Sequence, residues 1–303
     1  MEILRTPDEY FTDLDGYRFS PNYINVQAEE TPALRMHYLD EGKADGEIIL
    51  LLHGQPTWSY LYRKMIPVLV SGGFRVIAPD LIGFGKSDKP ADTGDYTYAR
   101  HTTWLVDFIQ KLKLNNVNVF MQDWGGLLGL RIAGYHEHFF SRIFAANTGL
   151  PVGGMQMPEE WLFFKKLCAS AKKLPIGRIL KSGCVSDLSD SVLAGYRAPF
   201  LDEKHQSGAK IFPSLIPLEV ENPEALVNRK AWENLRNWKK PFLTLFSDSD
   251  PITRRGDLFF RRMIPGTKNM PHQTIVGAGH FLQEDKGVQL AEIICDFIKS
   301  AYR

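Results

Sequence analysis

The feature that most constrains this chain is a sustained alternation of short apolar runs with longer amphipathic ones. Residues 33–38, 47–52, 74–79, 117–121, 142–146, 241–246 and 273–276 read as strands. Residues 59–70, 102–112, 127–133, 223–237, 258–263 and 288–301 read as helices between them. Residues 47–52 are nearly all apolar, as expected of a strand buried on both faces. Strand–helix alternation implies a mostly parallel sheet with helices on its faces, an α/β class. Between about residue 150 and residue 222 the strand runs disappear. There, 159–173 and 188–196 read as amphipathic helices, broken by Pro175, Gly177, Gly183 and Pro199. The expectation is a core domain of residues 1–150 and 223–303 with a helical cap domain, 151–222, inserted over one end of the sheet.

Composition excludes several classes. Of 303 residues, 36 are Lys or Arg and 35 are Asp or Glu, a formal charge of +1. Such a balance gives no general electrostatic reason to bind nucleic acid or an anionic membrane. Apolar runs are strand-sized, far below the roughly 20 residues of a membrane-spanning helix. The opening Met1-Glu2-Ile3-Leu4-Arg5 has no basic stretch followed by an apolar one, so no secretory signal is expected. Cys168, Cys184 and Cys295 are an odd, widely spaced set with neither metal-ligand spacing nor a disulfide framework. A cytoplasmic monomer is expected.

In open parallel sheets, ligands bind at the carboxyl ends of the strands, so the turns there carry the chemistry. After 117–121 comes Gln122-Asp123-Trp124-Gly125-Gly126, the form of a nucleophile elbow with Asp at the reactive position. The alternative is an Asp that merely caps the next helix. After 47–52 comes His53-Gly54-Gln55-Pro56-Thr57-Trp58, placed to supply a backbone N–H to an oxyanion hole, or else a plain loop. Asp80 to Asp88 contains two glycines but lacks the Walker spacing, and reads as a structural turn. Asp250 follows 241–246, and His280 sits in the Gly-rich turn after 273–276. The chain order nucleophile, acid, histidine is that of α/β-hydrolases.

With these motifs the sequence resembles the α/β-hydrolase superfamily, and within it the haloalkane dehalogenases whose catalytic acid follows the seventh strand. The segments carrying the resemblance are His53 to Arg63, Asp80 to Asp88, Gln122 to Gly126, Asp250 and Gly279-His280-Phe281. It implies Asp123 as nucleophile, His280 as base and Asp250 as the acid orienting it. Asp248 is the second choice for the acid. The tract 145–150, where a sister branch keeps its acid, holds no carboxylate. Trp124 matches one of two halide-binding tryptophans, and Trp161 is the match for the second, with Trp232 and Trp238 as weaker candidates. Gln55 and Trp124 would supply the oxyanion-hole N–H groups. Gln55 departs from the branch, which usually has Glu there, and whether its side chain reaches the halide is open.

The resemblance implies hydrolysis of small halogenated alkanes to alcohol, halide and a proton, with no metal or organic cofactor. The residue types suit this. A serine must lose a proton before it attacks, whereas a carboxylate is already ionised at neutral pH. An indole N–H donates without titrating. Two rivals stand. An epoxide hydrolase would use the same Asp-His-Asp set but needs paired cap tyrosines, and residues 151–222 contain only Tyr196. A non-catalytic receptor on the same fold would have no use for the intact set.

Overall fold

The computed structural model describes residues 1–300. The strands in chain order are β1 (Ile3–Leu4), β2 (Asn22–Val26), β3 (Leu34–Glu41), β4 (Ile48–Leu52), β5 (Arg75–Pro79), β6 (Lys89–Pro90), β7 (Val117–Gln122), β8 (Phe140–Ala146), β9 (Phe242–Ser247) and β10 (Gln273–Ile275). The helices are α1 (Ile66–Ser71), α2 (Tyr98–Lys111), α3 (Trp124–Tyr135), α4 (Glu159–Ser170), α5 (Ile176–Gly183), α6 (Asp190–Arg197), α7 (Ser207–Leu215), α8 (Pro223–Leu235), α9 (Asp257–Met263) and α10 (Leu282–Lys299). The expected last helix reached Ala301, which lies outside the described residues.

β10-β9-β8-β7-β4-β5-β3-β2 form one sheet in that order. β3 is antiparallel to both of its neighbours, and every other pairing is parallel. β7 is buried along its whole length, its polar Asn118 and Gln122 included, and β4 from Ile49 onward, as its unbroken apolar run requires. α1 packs on α10, and α3 packs between α2 and α8. α4 to α7 follow β8 with no strand among them, in two packed pairs, α4 with α7 and α5 with α6. No helix among the described residues is long and apolar enough to cross a membrane.

Several elements differ from the sequence reading. β2 was not expected, because only Val26 of its five residues is buried and no alternation marks it. The helix read over 59–70 splits into a 3-10 turn, Ser59–Tyr62, and α1. Pro67 explains the split: its ring excludes the carbonyl four residues back and fits best in a first helical turn, where it stands in α1. α5 and α7 form across Gly177, which read as a break, and across Pro213, because their apolar faces are buried.

α6 is tied to the core by a buried cluster. Tyr196 donates to Glu284 Oε2 at 2.7 Å, and Arg63 donates to both Glu284 oxygens at 2.6 and 2.8 Å. Lys64 lies 2.6 Å from the same carboxylate. Burial alone would raise the Glu284 pKa, but the Arg63 bonds and charge, with Lys64 and Tyr196, outweigh it and hold it at about 2. A depressed folded-state pKa means stability present above the ordinary carboxylate range and lost as pH falls. Urea unfolding should therefore show a share of stability disappearing between about pH 5 and pH 2. At neutral pH, Arg63→Met should cost about 3 kcal/mol by stranding a buried charge. A cost under about 1 kcal/mol would mean that Lys64 and Tyr196 hold the carboxylate unaided.

Candidate active site

Asp123 stands between β7 and α3 with φ 51° and ψ −125°, a left-handed conformation that a non-glycine residue adopts only under constraint. The constraint comes from close packing. A Cβ on Gly125 would run into the Leu52 carbonyl, and one on Gly126 into the Thr148 hydroxyl. A Cβ on Gly54 would run into the Asp123 carboxylate itself. Thr148 Oγ1 donates to Asp123 O at 2.7 Å, and Asp123 N donates to Asn147 O at 3.1 Å. The carboxylate makes no capping bond to α3, so it is not spent as a helix cap. Asp123 Oδ1 accepts instead from Gln55 N–H at 2.7 Å. Trp124 opens the first turn of α3, where backbone N–H groups have no intrahelical partner.

The loop carrying Gln55 is braced from the Asp80–Asp88 turn. Asp80 Oδ1 accepts from Ser59 N at 2.7 Å, and His53 Nε2 accepts from Leu81 N at 2.9 Å. His53 therefore carries its proton on Nδ1, facing Gly54 O at 2.8 Å. Burial lowers its pKa, in keeping with a neutral ring.

His280 lies between two carboxylates. Its Nε2 is 3.5 Å from Asp123 Oδ2, and its Nδ1 is 3.0 Å from Asp250 Oδ2. Asp250 is fully buried and also accepts from Ile252 N at 2.9 Å and from the Thr253 hydroxyl. Burial works to raise its pKa, but the His280 charge and these bonds prevail and lower it. Asp248, the second choice, accepts instead from Gly277 N at 3.0 Å. On His280, burial acts to lower the pKa, while the Asp250 charge and the bonds and charge of Asp123 raise it to about 10.

Two residues that sequence reasoning did not assign support this ring. Gln122 Nε2 donates to His280 O at 3.1 Å and lies 3.2 Å from His280 Nε2. A carbonyl oxygen only accepts, so the amide nitrogen must face the histidine and favour a free lone pair on Nε2. Asn147 Nδ2 donates to Ser247 Oγ, Gly279 O and His280 O at 2.8, 3.0 and 3.1 Å. It fastens the ends of β8 and β9 to the histidine turn. A carboxylate at this position could not make these donations. The one available signal was position, since both residues lie at strand ends beside the reactive turns.

Above Asp123 opens a cleft of about 1430 Å³ whose lining includes Trp124, Trp161, Leu127, Phe164, Ile179 and His280. Trp161 reaches it from α4 and Trp124 from α3. Among the described residues, neither indole N–H has a hydrogen-bond partner, while Trp232 Nε1 donates to Leu150 O at 2.9 Å and Trp58 Nε1 to Gly195 O at 3.1 Å. Trp104 and Trp238 have buried, unpartnered N–H groups but do not line the cleft. Of the six tryptophans, then, Trp124 and Trp161 alone present an uncommitted donor to it. The Gln55 side chain is turned elsewhere: its Nε2 donates to Ala209 O and lies 3.6 Å from Cys168 Sγ. Tyr196 is spent on Glu284 and is absent from the cleft lining.

This sheet, with a carboxylate on a strained elbow and an acid–histidine pair from later turns, defines the class. Residues 47–287 match the family described as alpha/beta hydrolase fold. A haloalkane dehalogenase of Psychrobacter cryohalolentis is 49% identical over 298 residues, covering 98% of both chains. One from Mycobacterium marinum is 47% identical, over 97% of this chain and 99% of the relative. A solved structure, described as a tetrameric haloalkane dehalogenase from Paraglaciecola agarilytica, superposes with a TM-score of 0.88 at 33% identity, covering 97% of each chain. The chain belongs to the haloalkane dehalogenase family of α/β-hydrolases.

Proposed function

We propose that this chain hydrolyses the carbon–halogen bond of haloalkanes through an alkyl ester on Asp123, with Trp124 and Trp161 receiving the halide. The observation that carries this reading is the pair of uncommitted indole donors lining the same cleft as the Asp123 carboxylate. Residues 1–150 and 223–303 serve as the core domain and 151–222 as the cap domain. Everything the reaction uses comes from one chain, so a monomer suffices. The free thiols of Cys168, Cys184 and Cys295 fit a reducing cytoplasm.

Asp123 Oδ1 is held by the Gln55 N–H, which leaves Oδ2 to attack carbon. The C–O bond forms as the C–halogen bond breaks, and its electron pair leaves on the halide between the two indole N–H groups. Donors preset in a site screened from water stabilise that growing charge, typically by about 3 kcal/mol each. This step needs no base, so an imidazolium at rest does not block it. Esterification then removes the Asp123 charge, one of the causes that raise the His280 pKa. The ring pKa falls, the imidazolium gives its proton to solvent, and the Gln122 amide favours the neutral form that results. His280 Nε2 takes a proton from water as the water oxygen adds to the Asp123 carboxyl carbon. The oxyanion faces the N–H groups of Gln55 and Trp124, and Asp250 stabilises the imidazolium. Collapse frees the alcohol and the carboxylate, and the net products are alcohol, halide and one proton.

An epoxide hydrolase would need acids to protonate a leaving oxygen, and Tyr196 is committed to Glu284. A receptor role gives no reason for an intact Asp123–His280–Asp250 set.

Two tests follow from these roles. His280→Ala should release about one halide per chain and stop, because ester formation proceeds without the base and hydrolysis does not. Mass spectrometry should find the alkyl group on Asp123, and a folded variant with no burst would contradict the two-step scheme. Trp161→Phe should weaken bromide binding and slow ester formation by at least about tenfold. Trp232→Phe, whose N–H is already engaged by Leu150 O, should do neither. Equal effects would misplace the second donor.

A further inference from the structure

The Gln55 side chain spans the seam between the core and the helices over it. Gln55 is 5% exposed and sits on the loop whose backbone N–H holds the nucleophile. Its amide nitrogen reaches two groups beyond that loop: Ala209 O on α7 and Cys168 Sγ on α4. Both residues are buried, and α4 and α7 pack on each other.

The Ala209 carbonyl is available for a specific reason. In an α-helix it would accept from the N–H four residues on. That residue is Pro213, inside α7, which has no N–H to give. A buried carbonyl left in this state costs free energy, and Gln55 Nε2 supplies the missing donor. The amide orientation follows, because a carbonyl can only accept.

What the bond joins matters for the reaction. Trp161 and Cys168 are the buried residues of α4, seven apart and so on one face of the helix. On α7, Phe212 packs against the Trp124 ring with centroids 4.5 Å apart. One amide thus connects the nucleophile loop to the helix carrying one halide indole and to the helix buttressing the other. We propose that the Gln55 side chain is a positioning group, a latch that seats α4 and α7 on the oxyanion loop so that Trp161 faces Trp124, and that Pro213 creates its docking point. This rests on the paired-indole reading above.

A purely structural role, filling the hydrogen bond of a buried carbonyl, makes a different forecast from a positioning role. Gln55→Leu and Gln55→Ala both keep the backbone N–H and delete the side-chain donor. Pro213→Ala returns an intrahelical N–H to Ala209 O without rebuilding the link to the loop. Stability by urea unfolding and bromide affinity by indole fluorescence quenching are read on the two Gln55 variants and on Gln55→Leu/Pro213→Ala. Both Gln55 variants should lose stability and bind bromide at least about tenfold more weakly, as a misplaced binding group does. In the double variant stability should return and bromide affinity should not. Recovery of both would reduce Gln55 to filling a hydrogen bond, and wild-type bromide affinity in Gln55→Leu would overturn the latch outright. Halide release by the unaltered protein is measured alongside. Its absence would bring down the dehalogenase reading itself, whereas activity with either contrary pattern brings down the latch alone.

Discussion

The structure depends on one backbone bend. Asp123 is held at positive φ at the end of a fully buried strand, a conformation costing about 1–3 kcal/mol that persists only when its surroundings enforce it. The enforcement is steric and polar together. β4 passes so close to α3 that Gly125 can bear no side chain, while Thr148 and Asn147 bind the bent backbone. The result is a carboxylate projected out of the sheet, with one oxygen fixed by Gln55 N–H and the other 3.5 Å from His280 Nε2. A serine in this position would need its base first, and an aspartate does not.

Around that bend the site divides its labour by charge. The carboxylates of Asp123 and Asp250 flank His280, and the proposed halide donors, Trp124 and Trp161, carry no charge. They line the cleft from different helices, Trp124 from α3 and Trp161 from α4, so the proposed halide site draws on the helical segment as well as the sheet. The segment is seated at separate points: Tyr196 on Glu284, Trp58 on Gly195 O, and Gln55 on Ala209 O. Two of these lie close in sequence to catalytic groups, Glu284 four residues beyond His280 and Gln55 on the oxyanion loop itself.

The sheet and the reactive turns were legible in the sequence because their signals are local. A strand buried on both faces writes a continuous apolar run, and an elbow needs small residues beside the reactive one. β2 left no such mark, because a half-buried edge strand with two asparagines looks like a loop. α5 and α7 were hidden by Gly177 and Pro213, whose local preferences lose to burial of the helix faces. Pro67 had the opposite effect, breaking a helix whose apolar spacing ran on. The supports of the site were illegible for another reason. Arg63 with Glu284, Asn147 with His280 and Gln55 with Ala209 pair residues 221, 133 and 154 positions apart, and no periodicity encodes such partners. The halide role proposed for Trp161 came from the resemblance, since spacing alone could not separate it from a core tryptophan.

The central claim is that Asp123 takes the alkyl group onto its own carboxyl. A single turnover in heavy-oxygen water, with protein in excess over substrate, tests it directly. Water oxygen should enter the Asp123 side chain, detectable in the peptide containing it, while the alcohol from that first turnover keeps light oxygen. Heavy oxygen appearing at once in the alcohol, with Asp123 unlabelled, would mean that water attacks the substrate carbon directly and would contradict the account.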